Sequence, residues 1–148
     1  MNRLWQRLRR NLHPDRLVVY VDASFMEARY AFTVQNDGEQ IGADAGHIPV
    51  PGITSVWAEY QALNNCLTYL INRGYRRRPI TVRSDCRNIV DMVNGIGEPN
   101  SANLRAPHAY ACALIGAFDD LRVEWIPRDQ NRQADRNARA GEVRVLTP

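Results

Sequence analysis

The sequence predicts an α/β fold: a mixed five-stranded sheet with helices packed on its faces. Three observations carry that expectation. The first three β-rich segments follow one another with no helix between them, and a tight turn joins the second to the third, so they pair antiparallel. From residue 55 onward helical and extended patterns alternate, as crossover connections require. The chain has 148 residues and 45% hydrophobic content, enough for one domain with a substantial core.

Taken in order, residues 1–13 (MNRLWQRLRRNLH) read as a short amphipathic helix, with Leu4, Leu8 and Leu12 on one side and Arg3, Arg7 and Arg10 elsewhere, closed by Pro14. Residues 1–16 form a basic arm that either packs on the domain or contacts nucleic acid, a membrane surface or a partner. LVVYVDAS (17–24) and YAFTVQ (30–35) are β-branched and aromatic runs, hence strands. Asn36-Asp37-Gly38-Glu39 is a hairpin turn, and QIGADAGHI (40–48) is the third strand. Pro49, Pro51 and Gly52 end the β portion. Residues 55–74 place Ala62, Leu63, Cys66, Leu67, Leu70 and Ile71 at helical spacing, between Thr54 or Ser55 as N-cap and Gly74 as C-cap. A strand over 79–85, a helix over 86–95, a loop over 95–107, a helix over 108–118, a strand over 121–127 and a helix over 131–141 follow. The domain spans 17–141, and 142–148 is a tail.

Composition excludes several classes. No apolar run approaches a membrane span, and no signal-peptide core opens the chain. The net charge of +3 and pI near 9.0 are compatible with a polyanionic partner without specifying one. All 19 basic residues are Arg, a bias of the kind a GC-rich genome produces. Cys66, Cys86 and Cys112 are dispersed, with no CxxC pair, so neither a disulfide framework nor a zinc site is expected. A reducing, cytoplasmic setting and a monomer are the expectation.

Four carboxylates stand in unusual places. Asp22 interrupts the apolar first strand. Glu59 lies one turn before Ala62 and Leu63, on the face the helix buries. Asp85 ends the strand over 79–85, and Asp135 lies early in the last helix. Each has an ordinary alternative: a strand end in solvent for Asp22, a first-turn position favoured by the helix dipole for Glu59 and Asp135, a helix cap for Asp85. Asn131 projects from the same side as Asp135. Should the first and fourth strands be neighbours, all four carboxylates converge, and only bound cations make that arrangement tolerable. Hard oxygen donors suit Mg²⁺ or Mn²⁺.

YVDAS (20–24), WAEYQAL (57–63), VRSDCRNIV (82–90) and WIPRDQNRQADRNAR (125–139) together resemble type 1 ribonuclease H, and the element order agrees over residues 17–141. The nearest likeness is to the small branch whose last motif reads WIPR-x-x-N-x-x-AD. The resemblance implies a ribonuclease H-like fold and makes Asp22, Glu59, Asp85 and Asp135 both the catalytic and the metal-binding set. It implies hydrolysis of the RNA strand of RNA–DNA hybrids with two Mg²⁺ ions about 4 Å apart, leaving 5′-phosphate and 3′-hydroxyl ends. Substrate contacts are expected from Ser24, Asn64, Asn88 and Asn131, with Arg76, Arg77 and Arg78 adding affinity in the absence of a basic protrusion. The chain departs from the family at Ala23, often Gly there, at FMEARYAF (25–32), which replaces a glycine-rich run, and at the short loop PRDQ (127–130), which lacks the usual His. Two other classes stay open: a non-catalytic module of this fold that binds nucleic acid or protein, and a superfamily nuclease acting on DNA.

Overall fold

The computed structural model describes residues 16–49 and 54–140. The expected helix over 1–13, the turn residues Pro51 and Gly52, and the tail lie outside them. The elements are β1 (Leu17–Ser24), β2 (Arg29–Asn36), β3 (Glu39–His47), α1 (Ser55–Asn72), β4 (Ile80–Ser84), α2 (Arg87–Val93), α3 (Ala102–Gly116), β5 (Leu121–Trp125), a 3₁₀ turn (Arg128–Gln130) and α4 (Arg132–Ala140). The sheet runs β3-β2-β1-β4-β5. β1, β2 and β3 pair antiparallel, while β4 joins β1, and β5 joins β4, in parallel. This is the mixed five-stranded sheet the sequence predicts.

Local chemistry accounts for the boundaries. Asp37 and Gly38 both take positive φ (53° and 77°), the mirror-image turn that matches strand twist in a two-residue hairpin. Thr54 caps α1 by accepting the Trp57 amide at 3.3 Å. At the other end Gly74 is left-handed (φ 79°), the Gly74 N–H donates to the Ile71 carbonyl and the Tyr75 N–H to that of Leu70, a Schellman closure. Gly42 on β3 sits under Tyr69, whose hydroxyl would lie 2.6 Å from any added Cβ, so a side chain there would have to displace that hydroxyl.

The core lies between the sheet and α1. Leu17, Val19 and Val21 of β1, Phe32 and Val34 of β2, and Ile80 and Val82 of β4 pack against Leu63, Cys66, Leu67 and Leu70 of α1. α1 buries more than the single expected stripe: Ala58, Tyr60 and Asn64 are also enclosed, because α3 covers its other side. Here the structure corrects the sequence reading. Residues 102–107, expected to be loop, form the first turns of α3, with Pro107 inside the helix. Proline lacks the N–H of an interior position and disfavours helix, but Leu104 and Ala111, both buried, supply an apolar contact that a local propensity argument does not see. Arg16, assigned to the arm, is instead tied to the domain: its guanidinium donates to Thr81 Oγ1 at 3.0 Å, to the Ile80 carbonyl at 2.8 Å and to Asp120.

Candidate active site

Strand register brings the first two carboxylates together. Val21 pairs with Ser84 in parallel, so Asp85 leaves β4 beside Asp22 on the neighbouring strand. Asp22 is not a solvent-facing strand end; it is 3% exposed. Nor does Asp85 cap a helix: Cys86 precedes α2 and makes no side-chain capping bond. With Thr54 as the cap, Glu59 lies beyond the first turn of α1, so the dipole does not explain it. Carboxylate oxygens of Asp22, Glu59 and Asp85 lie within 4.8 Å of one another. Asp135, in the first turn of α4, stands near enough for its carboxylate to raise that of Asp22 and takes the guanidinium of Arg139 at 3.2 Å. α4 is held in place by Asn131, whose amide donates to the Val21 carbonyl at 2.9 Å while its own carbonyl accepts the Asp135 N–H at 3.1 Å.

The electrostatic consequence is large. Burial, then the charges of Glu59 and Asp85, push the Asp22 carboxyl up to about 10. Burial and Asp85 push Glu59 to about 8, against the opposing pull of the Ala23 amide. Asp85 is raised as well, chiefly by burial, although the guanidinium of Arg128 lies 3.9 Å from its Oδ2 and opposes the rise. Such groups exchange protons as a unit. Two of their oxygens, Glu59 Oε2 and Asp85 Oδ2, are buried without a hydrogen-bond partner. Hard oxygen donors that converge from separate elements and lack hydrogen-bond partners fit a divalent cation, which supplies positive charge and the missing contact together.

A pH dependence follows. The folded, metal-free chain keeps protons on Asp22 and Glu59 that the unfolded chain has released above its ordinary values of 3.8 and 4.5. This contribution to stability is complete below about pH 4 and is lost as pH rises through 8 to 10. Thermal melts with chelator are expected to fall steadily between pH 5 and 9. A divalent cation should reverse the fall, by about 2.7 kcal/mol at a hundredfold excess over its Kd, and by more at the alkaline end. Melts independent of both pH and cation would remove the metal-site reading.

The expected substrate residues scatter. Ser24 lines the same cleft, bounded by Asp22, Glu59, Arg128, Asp135 and Arg139 and about 330 Å³ in volume; its hydroxyl donates to Glu27. Asn131 is 1% exposed and holds β1. Asn64 is buried between α1 and α3, its amide donating to the Pro107 carbonyl at 3.2 Å. Asn88 is exposed at the start of α2. Arg76, Arg77 and Arg78 follow the far end of α1; Arg76 donates to the Ala117 carbonyl at 3.1 Å and Arg78 reaches Asn36 at 3.5 Å. From Glu59 to the end of α1 at Asn72 is roughly 20 Å of helix, and the three arginines lie beyond that end, so they do not join the carboxylates. Arg139 was not singled out in the sequence; its signal is the four-residue spacing from Asp135.

The model of a family described as reverse transcriptase-like matches residues 34–141. Among solved structures, ribonuclease H1 from the halophilic archaeon Halobacterium salinarum is 26% identical with a TM-score of 0.74, over 84% of this chain and 98% of that one. The N-terminal ribonuclease H domain of a Mycobacterium tuberculosis protein is 23% identical with a TM-score of 0.75, over 86% and 93%. A ribonuclease H1 named LC11, solved with an RNA/DNA hybrid, is 20% identical with a TM-score of 0.72, over 82% and 92%. No curated protein matches the chain. With the match covering most of the chain, the chain belongs to the reverse transcriptase-like family of the ribonuclease H-like superfamily, and its likeness is to type 1 ribonuclease H.

Proposed function

We propose that the protein is an endoribonuclease that hydrolyses the RNA strand of RNA–DNA hybrids and leaves 5′-phosphate and 3′-hydroxyl ends, with Asp22, Glu59, Asp85 and Asp135 as its catalytic and metal-holding residues. The observation that carries this reading is the cluster itself: three carboxylates with oxygens within 4.8 Å, buried oxygens of Glu59 and Asp85 without a hydrogen-bond partner, and the carboxylate of Asp135 near Asp22. A non-catalytic module has no use for so costly an arrangement.

Asp22, Glu59 and Asp85 would hold a pair of divalent cations, Mg²⁺ or Mn²⁺, with Asp135 closing the set; such ions supply the charge that lowers the pKa of a water and stabilises the oxygen that leaves. The chain's own part is to position. Parallel pairing of β1 and β4 sets the spacing of Asp22 and Asp85, and the capped start of α1 sets the depth of Glu59. Arg139 turns Asp135, and Asn131 fixes α4 on β1. Arg128, 82% exposed at its side chain, stands over Asp85 in the loop where many relatives have a His, and would meet the phosphate. Selection of RNA would rest on 2′-hydroxyl contacts in the shallow minor groove, near Ser24 and the backbone of Ala23.

The test is cleavage of a labelled hybrid with Mg²⁺ or Mn²⁺, beside duplex DNA, duplex RNA and the Asp85→Asn protein. Cutting confined to the RNA of the hybrid, and lost with chelator and in Asp85→Asn, is the expected outcome. Folded protein that cuts nothing with either metal would overturn the reading, and cutting of DNA would move the chain to another nuclease class.

A further inference from the structure

The tip of the β1–β2 hairpin carries two large apolar side chains that folding does not use. Met26 is 87% exposed and Phe25 is 47% exposed, and both line the cleft that holds Asp22, Glu59 and Asp135. Hairpin tips are normally built from Gly, Asn or Asp, which are polar and tolerate positive φ. Here Ala28 takes the left-handed position with φ 50°, a conformation costing about 1–2 kcal/mol for a residue with a Cβ. The tip is nevertheless held in one shape. Ser24 donates to the Glu27 carboxylate, the Ala28 N–H donates to the Phe25 carbonyl at 3.3 Å, and the Ala28 carbonyl accepts the Ile48 N–H at 2.7 Å. An apolar lip thus lines the same cleft as the carboxylates and as Arg128 and Arg139. The two arginines suit phosphates; the lip suits the uncharged part of the same ligand.

We propose that Phe25 and Met26 form an apolar lip that packs into the minor groove of the hybrid, against the sugar edges beside the phosphate to be cut, and so add affinity that does not depend on salt. This rests on the hybrid-cleaving reading and deepens it by naming side chains that select the substrate. Apolar side chains are used in this way by proteins that enter a minor groove, and the wide, shallow minor groove of an A-like helix leaves sugar edges open to contact. The hydrogen-bonded backbone of the tip reduces the loop ordering that would oppose the contact.

The experiment compares the full chain with the double variant Phe25→Ser, Met26→Ser and with the single variant Met26→Leu. Hybrid affinity is measured by fluorescence anisotropy in the Asp85→Asn background from 50 to 200 mM salt, about the range over which phosphate contacts reveal themselves. KM and kcat are measured with the active-site residues intact. The double variant is expected to raise Kd and KM about tenfold, to leave kcat within about twofold, and to leave the slope of affinity against salt unchanged. Met26→Leu should behave like the unaltered chain. An unchanged melting temperature separates contact from folding; if the double variant unfolds, Met26→Ser alone carries the same comparison. Affinity unchanged in a folded variant overturns the lip, as does a loss that appears only as a changed salt slope. Retained hybrid affinity with lost self-association by sedimentation would make the lip a protein interface and also overturn it. An unaltered chain that neither binds nor cuts hybrid brings down the ribonuclease reading itself, whereas one that does both but ignores the lip substitutions brings down the lip alone.

Discussion

Replacing Asp22 by Asn is expected to reduce hybrid cleavage about a thousandfold or more, the scale on which loss of one preorganised electrostatic partner is felt, while making the metal-free protein more stable at alkaline pH. Both effects come from one carboxylate. Asp22 is 3% exposed, shares its space with Glu59, Asp85 and Asp135, and is pushed up to about 10 by burial and by those neighbours. Asn has nearly the same shape and fills the same space between β2 and β4, so packing survives. It carries no charge, so the pH-dependent loss of stability contributed by Asp22 disappears, and with it part of the site's hold on a cation. Single-turnover cleavage measures the first effect, and melts at pH 7 and pH 9 with chelator measure the second. Activity within tenfold of the unaltered protein would remove Asp22 from the reacting centre. Melts that fall with pH as before would show that the repulsion lies elsewhere.

Phe32→Ala is expected to give the opposite pattern, a large loss of stability with little loss of turnover per folded molecule. Phe32 is fully buried. Its ring meets Tyr69 edge-on at 4.9 Å and an interplanar angle of 62°, and stacks with Tyr30 at 6.2 Å. Removing a buried ring of this kind costs about 3–5 kcal/mol, a large part of the roughly 5–15 kcal/mol that holds a domain of this class folded. Urea unfolding should show a lower midpoint at unchanged slope. The ring lies between the sheet and α1, and its contacts with Tyr69 are near the end of α1 remote from Glu59, so kcat should stay within a few-fold. A loss below about 1 kcal/mol would mean that the site collapses around the missing ring, and a loss of kcat as large as that of Asp22→Asn would mean that α1 shifts as a body.

The two substitutions divide the molecule along the line between what is read locally and what is not. The strands and most helices follow from local pattern: alternation and β-branching in β1, the Asp37-Gly38 turn, the Thr54 cap and the Gly74 closure of α1. So does the suspicion attached to the four carboxylates, since a charge inside LVVYVDAS or on the buried side of α1 is visible without coordinates. Pro107 shows where local reading stops. The residue argues against helix, and α3 includes it because Leu104 and Ala111 are buried. Asn64 and Asn131 stop it in another way. Each gives its amide to a backbone carbonyl distant in sequence, of Pro107 and of Val21, a partner that no local pattern reveals.

What the sequence by itself determined is the set of elements and the end of each on which a carboxylate stands, because capping, turn geometry and hydrophobic period act over a few residues. Only the tertiary structure decided that β1 and β4 are neighbours, that Asp22, Glu59 and Asp85 meet within 4.8 Å, that Arg76 to Arg78 stand at the other end of α1, and that Phe25 and Met26 are left on the rim. Sheet order follows from pairing between residues about 60 positions apart, as with Val21 and Ser84, and desolvation belongs to a place rather than to a residue type. The same Asp is an ordinary acid in the unfolded chain and a group held near 10 in the fold, because only the fold takes water away from it and sets like charges beside it.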